Sequence, residues 1–240
     1  MSEEMVEETY KANLERIFLA INKLNSYCIN IEKSTKKTIE NFDFEDIFEQ
    51  VLCFLDEQGN EIETLGAALI QMETSNINVS QRLKSEQSLR NKWVKNLGKK
   101  KQLREVINDI IGIRMITDQP YEELIKIIKQ INEEKEYNIS IIDFHQTPKA
   151  VDDGYRGIHI YFKKNPKGFP IEVQIWNQED ALLNFYTHDI IYKANKDGLC
   201  NEYGSELRKW LDAIPSKPDG IEIGYIKYLY EIVYASQGGE

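Results

Sequence analysis

The chain has 240 residues, 41% of them hydrophobic and 29% charged, a balance that suits one or two compact soluble units rather than a membrane or disordered protein. Its formal net charge of -10 would repel a polyanion at long range but says little about a local site. Cys28, Cys53 and Cys200 form neither a close pair nor a metal knuckle, and His145, His159 and His188 are too few for a histidine-built zinc centre.

The longest apolar runs, such as Ile110 to Ile113 and Ile160 to Phe162, fall far short of the roughly 20 residues of a membrane span. The start, Met1-Ser2-Glu3-Glu4, is acidic where a secretory signal would be basic and then apolar. A cytoplasmic protein with reduced thiols and no membrane partner is expected.

Along the chain, Leu14, Ile17, Phe18, Ile21 and Leu24 recur at the spacing of one helix face, so residues 10 to 75 read as a helical region. Phe48, Val51, Leu52 and Leu55 repeat the pattern after Asn41 or Asp43 as a cap, and Glu57-Gln58-Gly59-Asn60 supplies a stop. Ile62 to Met72 is predicted as a third helix.

Beyond Asn76 the pattern changes to short runs rich in Ile, Val and aromatics: Ile110 to Thr117, Ile139 to Gln146, Gly157 to Lys164 and Ile171 to Trp176. These are four predicted strands, with helices over Tyr121 to Glu134 and Glu179 to Lys193. An α+β fold is expected, in which a sheet is flanked by helices. The tail holds helix patterns at Leu207 to Leu211 and Ile221 to Tyr234, separated by Pro215-Ser216-Lys217-Pro218-Asp219-Gly220. The expected division is a helical region at 1–75, an α+β domain at 76–200 and a helical tail at 201–240.

Four segments carry the chemistry. From Arg82 to Arg104 there are nine basic residues against Glu86 alone, a net of +8, which reads either as a phosphate-facing wall or as a solvated helix face. A helix starting near Ser85 would align Ser85, Ser88 and Lys92 on one side. In Asp109-Ile110-Ile111-Gly112-Ile113-Arg114, an acid opens a strand, where it could ligate Mg²⁺ or pair with Arg114.

The third segment runs from Pro148 through Lys149 to Asp153-Gly154-Tyr155-Arg156-Gly157-Ile158-His159. Gly154 permits a tight turn expected to bring Tyr155 to the surface, where its ring would stack on a nucleobase or else join the core. In the fourth, Ile171-Glu172-Val173-Gln174-Ile175, strand alternation puts Glu172 and Gln174 on one face.

In order, these segments read R-x-K-x-x-x-S, D-x-x-G-x-R, P-K-x-x-x-x-G-Y-R-x-x-H and E-V-Q-I. Over about residues 80 to 195 this series resembles the synthetase domain of the RelA/SpoT family, ending in Tyr192-Lys193. The resemblance implies a nucleotidyltransferase-like mixed sheet and transfer of the β,γ-pyrophosphate of ATP to the 3′-hydroxyl of GDP or GTP. It further implies that Arg82, Lys84, Ser88, Lys92 and Arg114 bind ATP, and that Asp109 and Glu172 hold Mg²⁺, with Glu172 the metal ligand or the base for the 3′-hydroxyl. Lys149, Tyr155, His159 and Gln174 would bind the acceptor. The sequence departs from the family at Asp153, where Asn is frequent, and at Trp176, where Arg is frequent. The histidine-aspartate constellation of the family's hydrolase half is not found.

Two rival readings remain at this point. The Lys99-Lys100-Lys101 run could track RNA, as in small relatives that pyrophosphorylate the 3′ end of tRNA. A nucleotide-binding regulatory protein without turnover is the other. The apolar residues Ile221, Tyr225, Tyr228, Leu229, Ile232 and Val233 call for a cover, which a second copy could provide in a homo-oligomer.

Overall fold

The computed structural model describes residues 3–24, 35–71, 77–149, 152–162, 168–186 and 204–209. The expectations for Tyr192-Lys193, for His188 and for the Ile221 to Tyr234 segment with its homo-oligomer lie outside the described residues.

Among the described residues the chain opens with three α-helices: α1 (Glu3–Leu24), α2 (Phe44–Glu57) and α3 (Gly59–Ile70). The stripe read from the sequence is the buried one, with Leu14, Ile17, Phe18, Ile21 and Leu24 all within the core. Of the two proposed caps, Asp43 is the one used: its carboxylate accepts from the Glu45 and Asp46 amides at 2.9 and 3.4 Å.

Strand β1 (Ile77–Leu83) leads into α4 (Glu86–Asn96) and the short α5 (Leu103–Val106), then β2 (Ile111–Thr117) and α6 (Tyr121–Lys135). Strands β3 (Ile139–Asp143), β4 (Ile158–Phe162) and β5 (Ile171–Asn177) follow, and α7 (Gln178–Asn184) closes the series. Residues 204–209 add a helical segment, α8. The five strands form one mixed sheet in the order β1-β2-β5-β4-β3, flanked by helices, so the α+β class holds.

All four predicted strands are present, and β1 is an addition. The second of them, β3 in the structure, was expected to reach Gln146 but ends at Asp143, whose carboxylate accepts from the His145 and Gln146 amides at 2.9 and 3.0 Å and turns the chain.

The described chain divides into two compact units. The first comprises residues 1–115, 122–141 and 160–174. Here Phe18 of α1 meets Phe162 of β4 edge-on at 5.1 Å, while Leu124, Ile127, Ile128 and Ile131 of α6 are buried. The second comprises residues 116–121, 142–159 and 175–240. Its core gathers Ile116, Tyr155, Trp176, Ala181 and Phe185, with Phe144 against them.

Candidate active site

The expected site residues fall into two clusters, one in each unit. In the first unit Ser85 is the N-cap of α4 rather than its first residue; its hydroxyl accepts from the Ser88 amide at 3.4 Å and donates to the Ser88 hydroxyl at 2.9 Å. Two turns further on, Lys92 reaches Asn108 and Asp109, its ammonium 3.2 Å from Asp109 Oδ1. Lys84 donates to the other oxygen, Asp109 Oδ2. Asp109 is only 6% exposed, so two ammonium groups supply the partners a buried carboxylate requires. The Asp109–Arg114 pair considered from the sequence is therefore not how Asp109 is satisfied.

Burial depresses the Lys92 ammonium below the ordinary lysine range, with Lys84 adding repulsion, while Asp109 and Glu172 both pull it back up. Arg82, on β1, lies against Gly112 of β2, and among the described residues no carboxylate pairs with its guanidinium.

Along β5, alternation puts Glu172 and Gln174 on one face as expected: Gln174 Nε2 donates to Glu172 Oε2 at 2.8 Å. Gln174 Oε1 accepts in turn from Arg114 Nε and Nη2 at 3.3 and 3.1 Å. The remaining oxygen, Glu172 Oε1, accepts from the Tyr161 hydroxyl at 2.7 Å. Glu172 is 4% exposed, and donors on both oxygens fix the plane of its carboxylate. Tyr161 was missed from the sequence although a signal existed: in Ile158-His159-Ile160-Tyr161-Phe162 the apolar positions point one way and Tyr161 the other. The structure joins Gln174, expected on the acceptor side, to Arg114, expected on the ATP side.

The second unit holds Lys149, Tyr155 and His159. Gly154 adopts φ +79°, as the turn reading anticipated, but Tyr155 is not brought to the surface; it is 6% exposed. Its hydroxyl accepts from Trp176 Nε1 at 2.7 Å and lies 2.5 Å from His159 Nε2. Phe144 and Trp176 pack edge-on against the Tyr155 ring at 6.0 Å.

Two sequence departures shape this arrangement. Trp176 supplies the indole donor, and it fits because Gly157 has no Cβ: a carbon there would come within 2.8 Å of the indole. Asp153 accepts from the Tyr155 amide at 3.1 Å and pairs with Lys149 at 2.7 Å. The Lys149 ammonium then stands 4.4 Å from the centroid of the Tyr155 ring.

Among the described residues no group of three or more His, Cys, Asp or Glu side chains gathers for a metal. The oxygen donors Asp109 and Glu172 nevertheless suit Mg²⁺, which takes one or two carboxylates and completes its shell with water and phosphate oxygens. What fits the ion is the donor set itself: both carboxylates are buried in the first unit, and a hard divalent cation takes oxygen ligands of this kind.

Residues 81–197 match the family model described as the region found in RelA / SpoT proteins. No curated protein matches the chain. Among solved structures, it is similar to small alarmone synthetase 1 of Bacillus subtilis bound to its product pppGpp, with 18% identity, TM-score 0.45, and 69% of this chain and 96% of that one covered. Small alarmone synthetase 2 of the same organism gives 19% identity and TM-score 0.45, covering 78% and 99%. A GTP pyrophosphokinase family protein from Streptococcus pneumoniae gives 17% identity and TM-score 0.42, covering 82% and 97%. Both clusters, from Arg82 through Trp176, fall inside residues 81–197, the stretch that matches the region found in RelA / SpoT proteins.

Proposed function

We propose that the chain is a pyrophosphokinase that transfers the β,γ-pyrophosphate of ATP to the 3′-hydroxyl of GDP or GTP. The observation that carries this reading is buried Asp109 paired with Lys84 and Lys92, together with buried Glu172 linked through Gln174 to Arg114, all within the matched RelA/SpoT region. Phosphoryl-type transfer asks a protein mainly to position the reactants and neutralise charge, and these side chains supply both. Arg82, Lys84, Ser88, Lys92 and Arg114 would receive ATP.

Asp109 and Glu172 would hold Mg²⁺, which when bound would neutralise charge on the transferred phosphates. Glu172 would also accept the proton of the acceptor hydroxyl, its plane held by Tyr161 and Gln174. Lys149, Tyr155 and His159 would recognise the acceptor. Because the Tyr155 ring is buried with Lys149 over it, base stacking there would require Lys149 to move.

A second reading, transfer to the 3′ end of tRNA, draws support from Lys99, Lys100 and Lys101, all exposed after α4. One experiment tests both. The protein is incubated with Mg²⁺ and β,γ-labelled ATP beside GDP, GTP, GMP or tRNA, and AMP release is measured with the labelled product. Label in a guanosine nucleotide supports the first reading and label in tRNA the second. No AMP with any acceptor would leave a nucleotide-binding protein without turnover.

A further inference from the structure

We propose that Arg208 is a positioning residue for the Gly154–Tyr155 turn, so that a helix outside the matched RelA/SpoT residues governs how the acceptor is bound. The inference rests on the acceptor role given above to Tyr155.

Gly154 sits at φ +79°, with its N–H donating to Asp152 Oδ1 at 2.9 Å. Its carbonyl accepts from Arg208 Nε at 3.0 Å. The same guanidinium pairs through Nη1 with Asp180 Oδ1 at 2.5 Å, and both side chains are less than one-tenth exposed. Helix α8 abuts the turn so closely that a Cβ on Gly154 would meet the Gly204 carbonyl oxygen at 2.3 Å.

Asp180 belongs to the first turn of α7 and interacts with the Tyr121 hydroxyl. That hydroxyl accepts from the Asn177 amide at 2.9 Å at the end of β5. On the other side of Tyr155, Asn184 of α7 donates through Nδ2 to the Arg156 carbonyl at 2.7 Å and accepts from its amide at 3.3 Å. The carbonyls on both sides of Tyr155 are therefore held by side chains, one from α8 and one from α7.

The guanidinium's rigid planar fork donates from Nε to the Gly154 carbonyl and from Nη1 to the Asp180 carboxylate at once, in directions fixed by the group itself; a lysine ammonium's donors all radiate from one atom and cannot reproduce that spacing. A purely stabilising ion pair would need the Asp180 contact alone; the bond to Gly154 ties the pair to the turn.

The test compares wild type with Arg208→Lys, which keeps the charge beside Asp180 and loses the second bond. Amide exchange is followed in a peptide covering residues 152–158, alongside KM for ATP and for the acceptor nucleotide. Loss of one hydrogen bond to a charged group predicts exchange and acceptor KM each up by about tenfold, with ATP KM and kcat within about twofold of wild type. Unchanged exchange in that peptide, or equal rises in both KM values, would overturn the proposal.

If wild type transfers pyrophosphate to no acceptor, the functional reading fails, and the exchange comparison alone then decides whether Arg208 holds the turn. Should Arg208→Lys not fold, Asp180→Asn, which keeps an acceptor for Nη1 without its charge, should move the same readouts the same way by about threefold. No change in Asp180→Asn would likewise overturn the proposal.

Discussion

The cluster around Asp109 and Glu172 is held by charge, and the cluster around Tyr155 by aromatic packing. In the first, two buried carboxylates accept from Lys84, Lys92, Tyr161 and Gln174, and Lys84 and Lys92 keep 17% and 29% of their side chains exposed. In the second, Tyr155, His159 and Trp176 are all less than one-tenth exposed, and the Tyr155 hydroxyl links Trp176 Nε1 to His159 Nε2. A charged cluster that keeps some solvent access can trade its partners for a ligand's charges. A closed aromatic cluster has no such reserve, and a change there is felt first as lost stability.

The sharpest way to break this contrast is to neutralise a carboxylate. Glu172→Gln should lower turnover by about 10³-fold, equivalent to about 4 kcal/mol in the barrier, while the melting temperature moves by only a few degrees. Asp109→Asn should lose as much turnover and also stability, because Lys84 and Lys92 both lose the carboxylate they pair with. Steady-state AMP release and thermal melts check both, and full activity in Glu172→Gln would remove it from the site.

On the aromatic side the order of effects should invert. Trp176→Phe removes the donor to Tyr155 and part of a buried indole, and should cost about 2–3 kcal/mol in urea unfolding. The acceptor KM should then rise while the ATP KM holds. A stable Trp176→Phe protein with a collapsed kcat would erase the distinction between the clusters.

A smaller effect separates positioning from packing within the charged cluster. Tyr161→Phe deletes one hydroxyl and should reduce kcat by about tenfold, about 1.4 kcal/mol, with neither KM changed by more than about twofold. Unaltered kcat would mean that Gln174 alone orients Glu172.

The smallest expected effect is in the pH dependence of stability, where the two units should differ in sign. Burial lowers the Lys92 pKa, so the unfolded chain binds the extra proton and stability rises with pH from the depressed value up to the ordinary lysine value of about 10.4. Burial, with Asp180 adding to it, raises the Tyr121 pKa, so its contribution is complete below about 10 and is lost as pH climbs past that value. Lys92→Met should flatten the rise and Tyr121→Phe the fall, measured as urea unfolding between pH 8 and pH 11. Curves parallel to wild type in both variants would show that neither group carries the dependence.

Much of the fold was legible because period alone reveals it. The α1 stripe, the Asp43 cap and the alternation pairing Glu172 with Gln174 are local regularities. What was missed is short or distant. β1 reads Ile77-Asn78-Val79-Ser80-Gln81-Arg82-Leu83, with two inward apolar residues and then a polar run that hides the alternation. α5 spans four residues, too few for a helical period to show. The partners of Asp109 stand 25 and 17 positions earlier in the chain, and no spacing rule connects a lysine to an acid over that distance. Tyr155 shows the limit from the other side: the turn at Gly154 was foreseeable, but the burial of its neighbour depends on Trp176, 21 residues on.

The two buried tryptophans give these units separate optical signatures. Trp93 packs edge-on against Phe44 at 5.5 Å in the first unit, and Trp176 packs against Tyr155 and Phe185 in the second. The third tryptophan of the chain, Trp210, lies outside the described residues. With Trp210 replaced by Phe, each remaining indole could be read alone in a variant lacking the other. Fluorescence during denaturation would then report whether the units melt together, and acceptor titration would fall on the Trp176 signal while leaving that of Trp93 unchanged.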